Sequence, residues 1–111
     1  SGDVTMATPS IVGQAISAGT DSTVLVSGPC VMSTLFICNT TASSKTFSVQ
    51  VRKDGEETSP TTDQQYIYKA VPLAANETAA ITSGISLGTG QTMVVTASAT
   101  GVAFTAFGVT P

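Results

Sequence analysis

The sequence contains no histidine and no tryptophan, and only 10% of its 111 residues are charged, against roughly 25% in an ordinary globular domain. Each absence removes a class of function. Without histidine the chain lacks the commonest general base and the commonest transition-metal ligand. Its many hydroxyls therefore have no imidazole to activate them as nucleophiles. Four Lys and Arg stand against seven Asp and Glu, a net charge of −3. That balance excludes a nucleic-acid binder held by phosphate contacts. No apolar run reaches the roughly 20 residues that cross a bilayer as a helix. Ser1 to Ser10 has neither a basic start nor an apolar centre, so no secretory leader is expected there.

What the chain has instead is hydroxyls and β-branched residues. Ser and Thr fill 32 positions and Val and Ile 18, whereas Leu fills only 4. An apolar content of 41% with positive mean hydropathy is too high for a disordered chain. The length suits one domain of modest size.

Residues 1–20 read as an extended arm containing one strand at Ile11 to Ile16, and residues 21–111 as a β-domain. Thr23 to Val26 stops at the breaker Ser27-Gly28-Pro29. Val31 to Asn39 is a dense apolar run rich in β-formers and reads as a central strand buried on both faces. Lys45 to Arg52 sets Phe47, Val49 and Val51 against Thr46, Ser48, Gln50 and Arg52, the alternation of a strand with one wet face. Glu56 to Gln64 is polar, carries Pro60 and reads as an exposed loop. Further strands are read at Gln65 to Val71, Thr78 to Thr82 and Ile85 to Leu87. Thr92 to Ala97 and Val102 to Val109 read as a hairpin about Ala99-Thr100-Gly101, with Val102, Phe104 and Ala106 on one face. No helix-start box or amphipathic helical stripe appears. Seven or eight short strands spaced by about 8–14 residues predict an all-β fold, an antiparallel β-sandwich of Ig-like or jelly-roll-like type.

Cys30 and Cys38 on one strand would stand roughly 26 Å apart, far beyond the roughly 7 Å that a disulfide spans. They are expected as buried free thiols, as in a protein made in a reducing cytoplasm. The sequons Asn39-Thr40-Thr41 and Asn76-Glu77-Thr78 are expected as accidents of a Thr-rich chain. Asp54, Glu56, Glu57 and Asp63 gather about one loop without the spacing of a calcium loop. Gly84, Gly88 and Gly90 precede no lysine, so no phosphate loop is read. Lys45, Lys53 and Lys69 read as solvated. No catalytic residue, metal ligand or cofactor is expected. Tyr66 and Tyr68, two apart on one strand, read as sharing a face that suits a core, an interface or a sugar-stacking platform. An exterior built from Thr, Ser, Ala and Gly costs little to desolvate, because few ions lose their water when it is covered. That points to a structural subunit making flat, repeated protein–protein contacts.

The succession of motifs resembles small β-sandwich virion proteins of tailed bacteriophages. It comprises Gly13-Gln14, Leu35-Phe36-Ile37-Cys38-Asn39-Thr40-Thr41 and Phe47-Ser48-Val49-Gln50-Val51. It continues with Val71-Pro72-Leu73-Ala74-Ala75-Asn76-Glu77-Thr78, then Gly84-Ile85-Ser86-Leu87-Gly88-Thr89-Gly90-Gln91-Thr92-Met93, and the last strand from Gly101 to Val109. The resemblance implies a non-enzymatic virion component made in the host cytoplasm, above all a capsid decoration (cement) protein without a cofactor. Its implied partners are copies of itself, commonly as a trimer, and the major capsid protein or another virion subunit, with no nucleic acid and no membrane. An arm over Ser1 to Gly19 would then reach neighbouring shell subunits, with Ile11, Val12, Gln14 and Ile16 as contact residues. The alternatives are a tail, fibre or neck subunit, and a host-surface glycan-binding module using Tyr66, Tyr68 and the Glu56 to Gln64 loop.

Overall fold

A computed structural model describes residues 9–54, 63–82 and 84–110. They form nine strands: β1 (Ser10–Ile16), β2 (Thr23–Ser27), β3 (Cys30–Asn39), β4 (Lys45–Arg52), β5 (Tyr66–Leu73), β6 (Thr78–Ile81), β7 (Ile85–Leu87), β8 (Thr92–Ala97) and β9 (Val102–Val109). A single 3-10 turn at Asp63–Gln65 precedes β5. Two antiparallel sheets pack together, so the predicted all-β sandwich is present. One sheet has the order β1-β9-β3-β6 with β7 also on β3, and the other has β2-β8-β4-β5.

This order has a simple origin. β1 pairs with β9, β2 with β8, β3 with both β6 and β7, and β4 with β5. The chain is therefore one long antiparallel ribbon, outbound through β4 and returning from β5. Successive rungs of the ribbon fall in opposite sheets. That is the jelly-roll arrangement of two interlocked Greek keys, which settles the alternative with an Ig-like order. The count rises to nine because the strand read within the arm, β1, is itself a member of the first sheet, paired with β9.

Three local readings change in this frame. β8 and β9 are no hairpin: they lie in different sheets, and the segment between them crosses from one to the other. Ser17 holds that crossing. Its Oγ donates to the Ala99 carbonyl at 2.6 Å and accepts from the Val102 N–H at 2.9 Å. The wet face read on β4 is covered at its end, where Gln50 and Arg52 are buried. Gln50 Nε2 donates to Thr96 Oγ1 at 3.3 Å, and the Asp63–Gln65 turn packs on β4. β3, read as buried on both faces, is buried by this chain on one only. Met32, Leu35 and Ile37 enter the core with Phe104, Phe47, Val49, Met93 and Val95. Val31 and Phe36 remain 54% and 40% exposed on the other face.

Of the segment read as an arm, residues 1–8 lie outside the described residues. The strand read at Ile11 to Ile16 is β1, the edge of the first sheet, in register with β9 from Ser10↔Gly108 to Ile16↔Ala103. The loop read over Glu56 to Gln64 lies, up to residue 62, outside the described residues.

Asn39 ties the end of β3 to the corner after β5. Its Nδ2 donates to the carbonyls of Ser43, Leu73 and Ala74, and its Oδ1 accepts from the Thr41 N–H and hydroxyl. The side chain is fully buried, so the sequon at Asn39 presents no acceptor in the folded state. Replacing Asn39 by Ala should cost about 3 kcal/mol, because it strands buried carbonyls without donors. Asn39→Asp should cost at least as much, since it turns an acceptor toward three carbonyls. At Gly13 an added Cβ would run into the Leu25 carbonyl across the sandwich edge. Gly13→Ala should therefore cost about 2 kcal/mol of overpacking strain. Urea unfolding of the three variants, followed by circular dichroism, checks both expectations.

Candidate interaction surface

Side chains alternate across a pleated strand, so filling the core fixes what the first sheet turns outward. β9 buries Val102, Phe104, Ala106 and Gly108 and leaves Ala103, Thr105, Phe107 and Val109 half-buried on the other side. β3 turns out Val31, Thr34, Phe36 and Cys38, with a register shift at Ser33 between Met32 and Thr34. Pairing aligns these residues in rows. Ile11 and Thr34 flank Phe107, Phe36 and Gln14 flank Thr105, and Cys38 and Ile16 flank Ala103. Val31 and Val109 form a fourth row. At the middle, on the two central strands, Phe36 and Phe107 meet edge to face with ring centroids 5.9 Å apart and planes at 86°, a favourable aromatic geometry. Gln14 Nε2 reaches Thr105 Oγ1 at 3.5 Å.

This face carries no ion. None of the residues in β1, β3, β6, β7 or β9 is charged. The described charges belong to the second sheet and to loops: Lys45, Arg52 and Lys69 lie on strands β4 and β5, and Asp21, Lys53, Asp54, Asp63 and Glu77 lie between strands. Covering the face thus displaces ordered water from apolar surface and hydroxyls without stripping a charge.

The six residues singled out from sequence divide between this face and elsewhere. Ile11 and Ile16 stand on it, 54% and 58% exposed, with Gln14 between them. Val12 sits at a β-bulge between Ile11 and Gly13 and packs against the core. Tyr66 and Tyr68 are brought onto opposite sides of the second sheet. Tyr66 pairs with Gln50 and Tyr68 with Val49, and the register shifts between them. Tyr68, half-buried, packs against the core, while the Lys69 ammonium lies 5.1 Å from the centre of the Tyr66 ring. The flat aromatic pair expected from their spacing is therefore absent. Val31, Phe36, Phe107 and Val109 were read only as strand or core residues. The signal that marks them is that β3 and β9 are apolar at both parities.

Away from this face, a cavity of about 270 Å³ lies among Val51, Arg52, Ile67, Ile85, Leu87 and Gln91. No cluster of three or more His, Cys, Asp or Glu able to hold a metal ion occurs among the described residues. Both cysteines are free; Cys30 is buried, but Cys38, expected to be buried as well, is half-exposed on the ion-free face. The chain matches no protein-family model, no curated protein and no solved structure.

Burial raises the Cys30 thiol above its ordinary value of 9.0, because the low-dielectric interior disfavours the thiolate. Above that pH the unfolded chain gives up a proton that the folded chain keeps. Unfolding then releases a proton, and stability falls as pH rises past about 9. The slope of stability against pH between about 8.5 and 10.5 should accordingly be shallower in Cys30→Val than in the native chain. Iodoacetamide should modify Cys38 and leave Cys30 intact until the chain unfolds, which peptide mass mapping reads directly.

Proposed function

We propose that the chain is a structural subunit of a bacteriophage particle, acting as a capsid decoration protein that reinforces the shell through protein–protein contact. The observation that carries this reading is the ion-free, partly apolar outer face of the β1-β9-β3-β6 sheet, centred on Phe36 and Phe107. A surface of that composition gains by being covered and has little to offer a charged ligand. The resemblance of the motif layout to small virion proteins suggests the setting, a particle assembled in the bacterial cytoplasm. The jelly roll recurs in viral capsid proteins and also in lectins. As a fold-level analogy it admits both particle and glycan readings. Tyr68 packs against the core rather than standing beside Tyr66, which lends more support to the particle reading than to the glycan one.

Gradient-purified virions of the phage that encodes the chain should contain it in a fixed ratio to the major capsid protein. Virions lacking it should lose their genome at a lower temperature. Its absence from intact virions would reject the proposal. Saturable binding to a defined glycan, lost in Tyr66→Ala, would move the reading to host recognition.

A further inference from the structure

We infer that the partner of the ion-free face is a second copy of the same chain, the two β1-β9-β3-β6 sheets packing face to face about a two-fold axis near Phe36 and Phe107. The inference rests on the reading of this face as a contact surface and identifies what covers it.

Charge favours a copy. The chain carries a net −3, so two copies that meet through most of their surface bring like charges together. On this face there are none to oppose. A two-fold contact sets each residue against its own symmetry partner or that partner's neighbours, so the patch has to be complementary to itself. A neutral surface meets that condition without a pattern of alternating sign. A partner bearing a charged patch would find no counter-charge here and would bury its own ions unpaired.

Size and composition agree. Four strand spacings of about 4.8 Å and some nine residues of about 3.3 Å give a face of roughly 600 Å². Two such faces bury about 1,200 Å² together, the lower end of the range for specific interfaces. The aromatic pair occupies the two central strands, with Ile11, Ile16, Val31 and Val109 around it and hydroxyls of Thr34 and Thr105 between. An apolar centre within a neutral polar surround is the arrangement in which a few buried anchors carry the affinity. Sheets packed in this way sit about 10 Å apart with interdigitated side chains, as the two sheets of one sandwich do.

Cys38 is a built-in reporter, half-exposed in the single chain and on the same face. Sedimentation equilibrium of the full chain from about 1 µM to about 1 mM should show the mass rise from 11.1 kDa to twice that value within the range of weak-to-moderate affinities. The rate of Cys38 alkylation should fall in parallel. Val31→Lys and Phe36→Lys, at positions already exposed in the single chain, should each weaken association roughly a hundredfold, as loss of a central anchor does. Val24→Lys, at an exposed position of the other sheet, should leave it unchanged. Circular dichroism and melting confirm that each variant is folded. If Phe36→Lys fails to fold, Val31→Lys decides; if both fail, protection of Cys38 in the native chain decides.

A monomer across the whole range overturns the inference, as does a trimer, or a dimer indifferent to both face variants. A monomeric chain that nonetheless binds virions stoichiometrically overturns it while leaving the particle reading intact, the face then covering shell protein. A dimer with the expected sensitivity, in a chain absent from virions, supports it and removes the particle reading.

Discussion

The pleat of β3 governs both the stability and the outward character of this molecule. A strand cannot direct two successive apolar side chains to one side. Met32, Leu35 and Ile37 are needed between the sheets, where they meet Phe47, Val49, Met93 and Val95. Val31, Phe36 and Cys38 are thereby committed to the opposite side. The described residues supply two layers and no third to cover that side. β9 repeats the situation beside it, with Phe104 and Ala106 inside and Phe107 and Val109 outside. The exposed apolar rows therefore follow from how the core is filled combined with the choice of residues at the other parity. Only that choice was free.

The edges of the sandwich show how such a surface is kept from indiscriminate association. An open sheet edge invites further strands, and proteins blunt it with proline, charge, bulges or brevity. β5, an edge of the second sheet, carries Pro72, Lys69, two register shifts and a positive φ at Ala70. β6 and β7, along one margin of the first sheet, have four and three residues. β1 and β2 are each bulged, and Gly13 of β1 lies against the Leu25 backbone of β2, which draws the two sheets together there. Lateral growth is discouraged at every margin, whereas the broad face of the first sheet is left without a single charge. Contact through a face closes after one partner, whereas contact through an edge repeats.

Much of this was legible in the residues and some of it was not, for definite reasons. The alternation of Phe47, Val49 and Val51 placed β4 and its inner side, because a period of two is a local property. The same pattern could not show that Gln50 and Arg52 are covered, since that depends on the Asp63–Gln65 turn packing back on β4. Ala99 to Gly101 reads as a hairpin tip and is a crossing between sheets; a short connection serves either purpose, and the folding of the whole ribbon decides. Tyr66 and Tyr68 are two apart and should share a face, but a register shift lies between their partners. A bulge is specified by pairing and leaves little trace in one strand's sequence. The candidate surface was half visible. Ile11, Gln14 and Ile16 are named from the sequence as contact candidates and stand on this face, whereas Phe36 belongs to a strand read as buried on both faces and the Phe107 side of the last strand is left unread.

That last error is instructive about how this chain divides its apolar residues. Thr and Ser give strands β-propensity or hydrogen bonding without a hydrophobic exterior, and the chain uses them freely, at 32 positions. Thr suits a pleated, half-exposed site nearly as well as Val does. Of the six large hydrophobic residues left exposed among the described residues, Ile11, Ile16, Val31 and Phe36 lie on the one sheet face that has no ion, and only Val24 and Ile67 lie elsewhere. The fold does not require them there, because none of the four contributes to the core. A chain that could have placed threonine at each of these positions and instead placed Ile, Val and Phe on a single surface carries a cost in the free state. In the proposed dimer, covering that surface would offset the cost, and the composition of the face describes what would suit it: something neutral, flat and apolar at its middle, as the face itself is.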